Sequence, residues 1–136
     1  MRSSRSPIVL LIQQDPGSSD ILVQLLNQLG CYCFDVWDAR NAICFFAQEH
    51  AYIDFVLLDE NLPDCSGRDC LLGLRNIRST VPIYMMVSPG SDIQEESAVE
   101  CAGLLMKPID IEILDRIVRE LGTDAPEGIV PESSCV

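Results

Sequence analysis

Phe55-Val56-Leu57-Leu58-Asp59-Glu60-Asn61-Leu62-Pro63-Asp64-Cys65-Ser66-Gly67 is the stretch that decides the fold. Four consecutive apolar residues lead straight into an acid, and a polar loop closed by serine and glycine follows. Continuous rather than alternating apolarity marks a strand covered on both faces. An acid at the end of a buried strand is costly unless it has a partner or a purpose. Asp59 is therefore the first candidate functional residue.

The same phrase recurs on both sides of this stretch. Ile8–Ile12 is a second apolar run, stopped by the turn-rich loop Gln13-Gln14-Asp15-Pro16-Gly17. Ser18, Ser19 and Asp20 are N-cap candidates for a helix striped by Ile21, Leu22, Leu25, Leu26 and Leu29, with Gly30 as its stop. Residues 31–37 read as a strand and about 41–48 as a helix. Cys70, Leu71, Leu74 and Ile77 stripe the helix after the Asp59 loop. Residues 82–87 read as a strand opened by Pro82, a residue suited to a strand start. An acidic helix is expected over 92–101, with Asp92, Glu95, Glu96 and Glu100 on a solvated face. Gly103–Met106 is a short last strand. Ile113, Leu114, Ile117, Val118 and Leu121 stripe the final helix, closed by Gly122. Five strands alternating with five helices predict an α/β, doubly wound parallel sheet over residues 7–122. Residues 123–136 read as a flexible acidic tail or linker.

Composition narrows the function. Among 136 residues, 9 basic side chains face 21 acidic ones, a formal net charge of −12. That argues against binding nucleic acid through its phosphates and against docking on an anionic membrane. No apolar run approaches the ~20 residues of a membrane span, and residues 1–7 hold no secretory core, so a soluble cytoplasmic protein is expected. The seven cysteines are odd in number and include no CxxC pair. Cys31 and Cys33 would be half of a metal site with no second half. Cys44, Cys70 and Cys101 are expected to pack as small apolar residues, and Trp37 to pack at a strand end.

In an open parallel sheet, ligands gather at the carboxyl ends of the strands. Here those ends carry Gln13, Gln14 and Asp15; Asp59, Glu60 and Asn61; Val87 and Ser88; and Lys107 before Pro108. One carboxylate, a polar cluster and one ammonium share a rim.

This constellation resembles the receiver domain of two-component response regulators. The resemblance rests on residues 57–67, Val81-Pro82-Ile83, Lys107-Pro108 and Asp15-Pro16, and it follows the whole βα order. It implies a flavodoxin-like (βα)5 fold with strand order 2-1-3-4-5. It also implies that Asp59 accepts a phosphoryl group from a histidine kinase or phosphotransfer protein and signals to a downstream effector, without being an enzyme. Lys107 would pair with a phosphoryl oxygen. A Mg²⁺ ion would be held by Asp59 and the backbone carbonyl of Asn61.

The sequence departs from that family in three places. Gln13 and Gln14 stand where the family has an acidic pair, so Mg²⁺ is expected to bind weakly, with Asp15 and Gln14 as remaining ligand candidates. Val87 stands where the family has a hydroxyl residue, leaving neighbouring Ser88 as the candidate hydrogen-bond donor to the phosphoryl group. Leu104 replaces the switch aromatic, and the short segment between Val87 and Lys107 implies a trimmed fourth helix. The alternative reading is a pseudo-receiver, a phosphorylation-independent protein-interaction module. A flavodoxin-type electron carrier is a poorer match, because the first loop lacks a Ser/Thr/Gly run to cradle a flavin phosphate.

Overall fold

The computed structural model describes residues 6–14, 16–91 and 101–122. The elements are β1 (Ile8–Ile12), α1 (Pro16–Gln28), β2 (Tyr32–Val36), α2 (Ala39–Glu49), a 3-10 turn (His50–Tyr52), β3 (Phe55–Asp59), α3 (Gly67–Ile77), β4 (Ile83–Val87), β5 (Gly103–Met106) and α4 (Ile111–Gly122). All strand pairs are parallel, in the order β2-β1-β3-β4-β5. This is the expected flavodoxin-like sheet. The acidic helix expected over 92–101 falls outside the described residues except Cys101, which lies in a bend; the tail at 123–136 falls outside them entirely.

Strand alternation sorts the apolar residues into two layers. Leu10, Ile12, Val56, Leu58, Ile83, Met85 and Val87 pack with Phe46 of α2 and Leu71 and Leu74 of α3. Val9, Leu11, Phe55, Leu57, Met86 and Leu105 pack on the other face with Leu22 and Leu26 of α1 and Leu114 and Ile117 of α4. The central strand β3 is buried at every residue, which is why Phe55–Leu58 had to be apolar without interruption before the strand-end Asp59.

Several boundaries moved for local reasons. α1 starts at Pro16, ahead of the expected serine and aspartate caps, since proline at a first helical position gives up no hydrogen bond. Gly30, with φ +86°, ends it as expected. α2 starts at Ala39 because two acids serve its first turn. Asp38 accepts the Asn41 amide at 2.8 Å, and Asp64 accepts the amides of Ala39 and Arg40, both at 2.9 Å. Ser66 caps α3 through the Asp69 amide at 3.1 Å. Trp37 is not packed as expected. It lies just beyond the edge strand β2, is 53% exposed, and donates its indole N–H to Asp35 at 3.2 Å. Of the three cysteines expected to fill space, Cys70 is buried, Cys101 half-buried and Cys44 exposed.

Candidate functional site

β3 delivers Asp59 to the carboxyl edge of the sheet, where it is 3% exposed. Lys107 follows β5, two strands away, and its amide keeps the ladder with β4 by donating to the Val87 carbonyl at 2.8 Å. From there its side chain reaches across the end of β4. Nζ donates to both carboxylate oxygens of Asp59 at 3.1 Å. The Lys107–Pro108 peptide is cis. The loop after β3 is closed on itself. The Asn61 amide donates to Asp59 Oδ1 at 3.1 Å, the Leu62 amide to the Cys65 carbonyl at 3.2 Å, and the Gly67 amide to the Glu60 carbonyl at 2.8 Å. A closed loop holds the Asn61 backbone in a defined position beside the carboxylate.

Gln13 continues the β1 ladder, its amide donating to the Val36 carbonyl at 3.0 Å. Ile12 is the register partner of Leu58, so Gln13 stands opposite Asp59. Alternation puts both on the face of Val9, Leu11, Phe55 and Leu57. Gln13 is 2% exposed, and its Oε1 has no hydrogen-bond partner among the described residues. Gln14 is exposed, and Asp15 lies outside the described residues. Among the described residues this rim offers Mg²⁺ one strand-end carboxylate, already doubly held by an ammonium, and neutral amide oxygens. Among the described residues no three His, Cys, Asp or Glu side chains are grouped to hold a metal.

The loop after β4 is organised by a residue that sequence reasoning left without a role. Glu60 accepts the Ser88 amide at 2.8 Å and the Ser91 hydroxyl. Burial pushes its carboxyl up, but the bonds from Ser91 and from the Ser88 amide and hydroxyl, with the nearby Lys107 charge, hold it below the usual range. Ser88, the candidate hydrogen-bond donor to the phosphoryl group, is thus tied to Glu60 through its backbone amide. Asp64 was missed likewise, since its reach to α2 crosses 24 to 25 residues of sequence. Val87 is buried in the apolar layer, and Leu104 is 38% exposed on the edge strand. Cys31 and Cys33 are poor ligands or nucleophiles. Burial, aided by nearby acids, pushes their thiols up to about 11 and about 12.

Residues 9–119 match the response regulator receiver domain. The chain is 35% identical over 92 residues to the sensory transduction protein RegX3 of Mycolicibacterium smegmatis, covering 68% of this chain and 39% of that protein. It is 23% identical over 109 residues to the sensor histidine kinase RcsC of Escherichia coli, covering 79% of this chain and 11% of that protein. The chain thus spans well under half the length of these curated relatives. A CheY-like receiver domain from Methylobacillus flagellatus superimposes with a TM-score of 0.78 at 24% identity, over 85% of this chain and 98% of that one. The receiver domain of the sensor histidine kinase PA1611 from Pseudomonas aeruginosa, solved with a magnesium ion coordinated in its active site cleft, gives 0.75 at 24% identity, over 86% and 98%. Among the described residues no helix is long and apolar enough to cross a membrane. With the match over residues 9–119 and the parallel sheet it predicts, this chain belongs to the response regulator receiver domain family, the signalling modules of two-component systems that are phosphorylated on aspartate.

Proposed function

We propose that Asp59 is the phosphoacceptor of this receiver. The observation that carries the reading is a buried strand-end carboxylate held at both oxygens by Lys107. The donor is a phosphohistidine on a histidine kinase or phosphotransfer protein, and the phosphorylated state is read by a downstream effector protein in the cytoplasm. One Asp59 oxygen attacks phosphorus, and the phosphorus–nitrogen bond breaks with its electron pair going to the imidazole. Lys107 stays on the charge as it spreads onto the phosphoryl oxygens, and the closed loop of residues 60–67 holds the carboxylate in line. Phosphoryl transfer is mainly positioning and charge stabilisation. The family binds Mg²⁺ at this place, but the donors here do not fit a tight site, because Gln13 and Gln14 bring no charge. The test is acetyl phosphate labelling followed by intact mass. Wild type gains one phosphoryl group, Asp59→Asn gains none, and labelling that survives Asp59→Asn would remove the assignment.

The second reading, a phosphorylation-independent interaction module, is favoured by Val87 and Leu104, which offer neither a hydroxyl to bond the phosphoryl group nor an aromatic ring to turn. A ligand shifts an equilibrium only by its differential affinity for the two states. Beryllofluoride should therefore shift backbone amides at residues 13–14 and 59–61 and leave 101–112 nearly still. Widespread shifts over 101–112 would restore the full switch and remove this reading.

A further inference from the structure

Among the described residues, Gln13 is the buried polar side chain at the rim that the proposed transfer does not use. The residue is 2% exposed, its Oε1 has no partner among the described residues, and the register of β1 on β3, carried one residue on, sets it opposite Asp59. Buried polar atoms are nearly always bonded, so one left open beside a reactive group points to a ligand. The amide has two ends, and a half-turn of its last bond exchanges the oxygen for two N–H donors. A phosphoryl group is a cluster of acceptors and takes N–H donors. The local charge agrees. Asp59 is neutralised by Lys107 at 3.1 Å on both oxygens, while the Glu60 carboxylate is turned to Ser88 and Ser91. An incoming anion meets the Lys107 ammonium and a neutral amide, with the ionised Glu60 carboxylate held on Ser88 and Ser91. A hard divalent cation finds no second carboxylate beside Asp59 among the described residues that is free of other donors.

We infer that Gln13 is a direct ligand of the phosphoryl group through its amide N–H, and that with Lys107 it lets Asp59 take that group without a divalent cation. This rests on Asp59 being the phosphoacceptor. With acetyl phosphate as donor, the Asp59 oxygen–phosphorus bond forms while the phosphorus–oxygen bond to the acetyl group breaks. Acetate leaves with the bonding pair, so no proton, oxidant or metal is needed for balance.

The experiment follows acetyl phosphate labelling of the full chain by intact mass, in EDTA and in excess Mg²⁺. The expected rates agree within about twofold. Gln13→Leu, which replaces the amide by an apolar side chain of similar size, should label roughly tenfold more slowly in EDTA, the size of one charge-assisted hydrogen bond. Gln13→Asp combined with Gln14→Asp should make labelling depend on Mg²⁺, and calorimetry should show the ion binding directly. Labelling of wild type only with Mg²⁺ overturns the inference and leaves Asp59 as acceptor. Labelling in neither condition overturns the acceptor reading itself. An unchanged rate in Gln13→Leu removes Gln13 as a ligand.

Discussion

The carboxylate of Glu60 accepts the backbone amide of Ser88 at 2.8 Å, bridging the ends of β3 and β4 one residue beyond Asp59. Ser91 adds a second donor and Lys107 a nearby positive charge. The same lysine bonds Asp59, and its charge helps hold the Glu60 carboxyl below its usual range.

That clasp has a pH signature. The folded Glu60 carboxyl lies below its ordinary value of 4.5, so its contribution to stability is complete above that value and is lost as pH falls through the folded pKa. The thermal midpoint of wild type should drop more steeply below pH 4.5 than that of Glu60→Gln, which has no proton to gain. Parallel curves would show that the ionised carboxylate adds nothing over a neutral amide. In Glu60→Gln the Ser88 amide should also exchange faster with solvent.

Lys107→Met leaves a buried carboxylate without its cation. Lys107 is 31% exposed and Asp59 5% by side chain, so the loss should be roughly 2 kcal/mol, between an exposed and a buried pair. Denaturant unfolding measures it. Lys107→Met combined with Asp59→Asn should recover most of the loss, because the uncompensated charge is gone. A double variant no more stable than Lys107→Met would place the loss in packing rather than in charge.

Gly67 has no room for a side chain. A Cβ there would run into the Asp59 carbonyl oxygen and approach Glu60 Cα at 2.8 Å, and both are backbone atoms. Gly67→Ala must push α3 away from the end of β3, and should destabilise by about 1–3 kcal/mol, as overpacking does. It should also slow labelling of Asp59, since the displaced backbone is the one that aims the carboxylate. A stable variant that labels at the wild-type rate would contradict this close approach.

Gln14→Asp adds one carboxylate at the exposed mouth of the site. At an effective dielectric of ~20 a unit charge at 4 Å interacts by about 4 kcal/mol per charge, and exposure discounts that heavily. Mg²⁺ affinity should still rise at least about tenfold, a gain of ~1.4 kcal/mol. Calorimetry of Mg²⁺ binding to both chains gives the answer, and equal affinities would mean that the missing acids do not limit binding.

The sheet was legible in the residues because burial on both faces demands uninterrupted apolar strands, and Phe55–Leu58 and Ile8–Ile12 can be little else. The positions of Asp59 and Lys107 at one rim followed from the same logic, since parallel strands deliver their carboxyl ends to one side. Helix starts were less legible. α2 begins at Ala39 because Asp64 reaches it from another loop, and no local pattern around residue 39 contains that fact. Trp37 was misread because which strand lies at the edge depends on strand order, a property of the whole sheet. The partnering of polar groups was decided only in three dimensions. That Lys107 grips both oxygens of Asp59, that Glu60 turns to Ser88, and that Gln13 is sealed beside them with an open oxygen are consequences of register between strands distant in sequence. Residue type sets what each group can bond. Which partner lies within about 3 Å is set by how the layers pack.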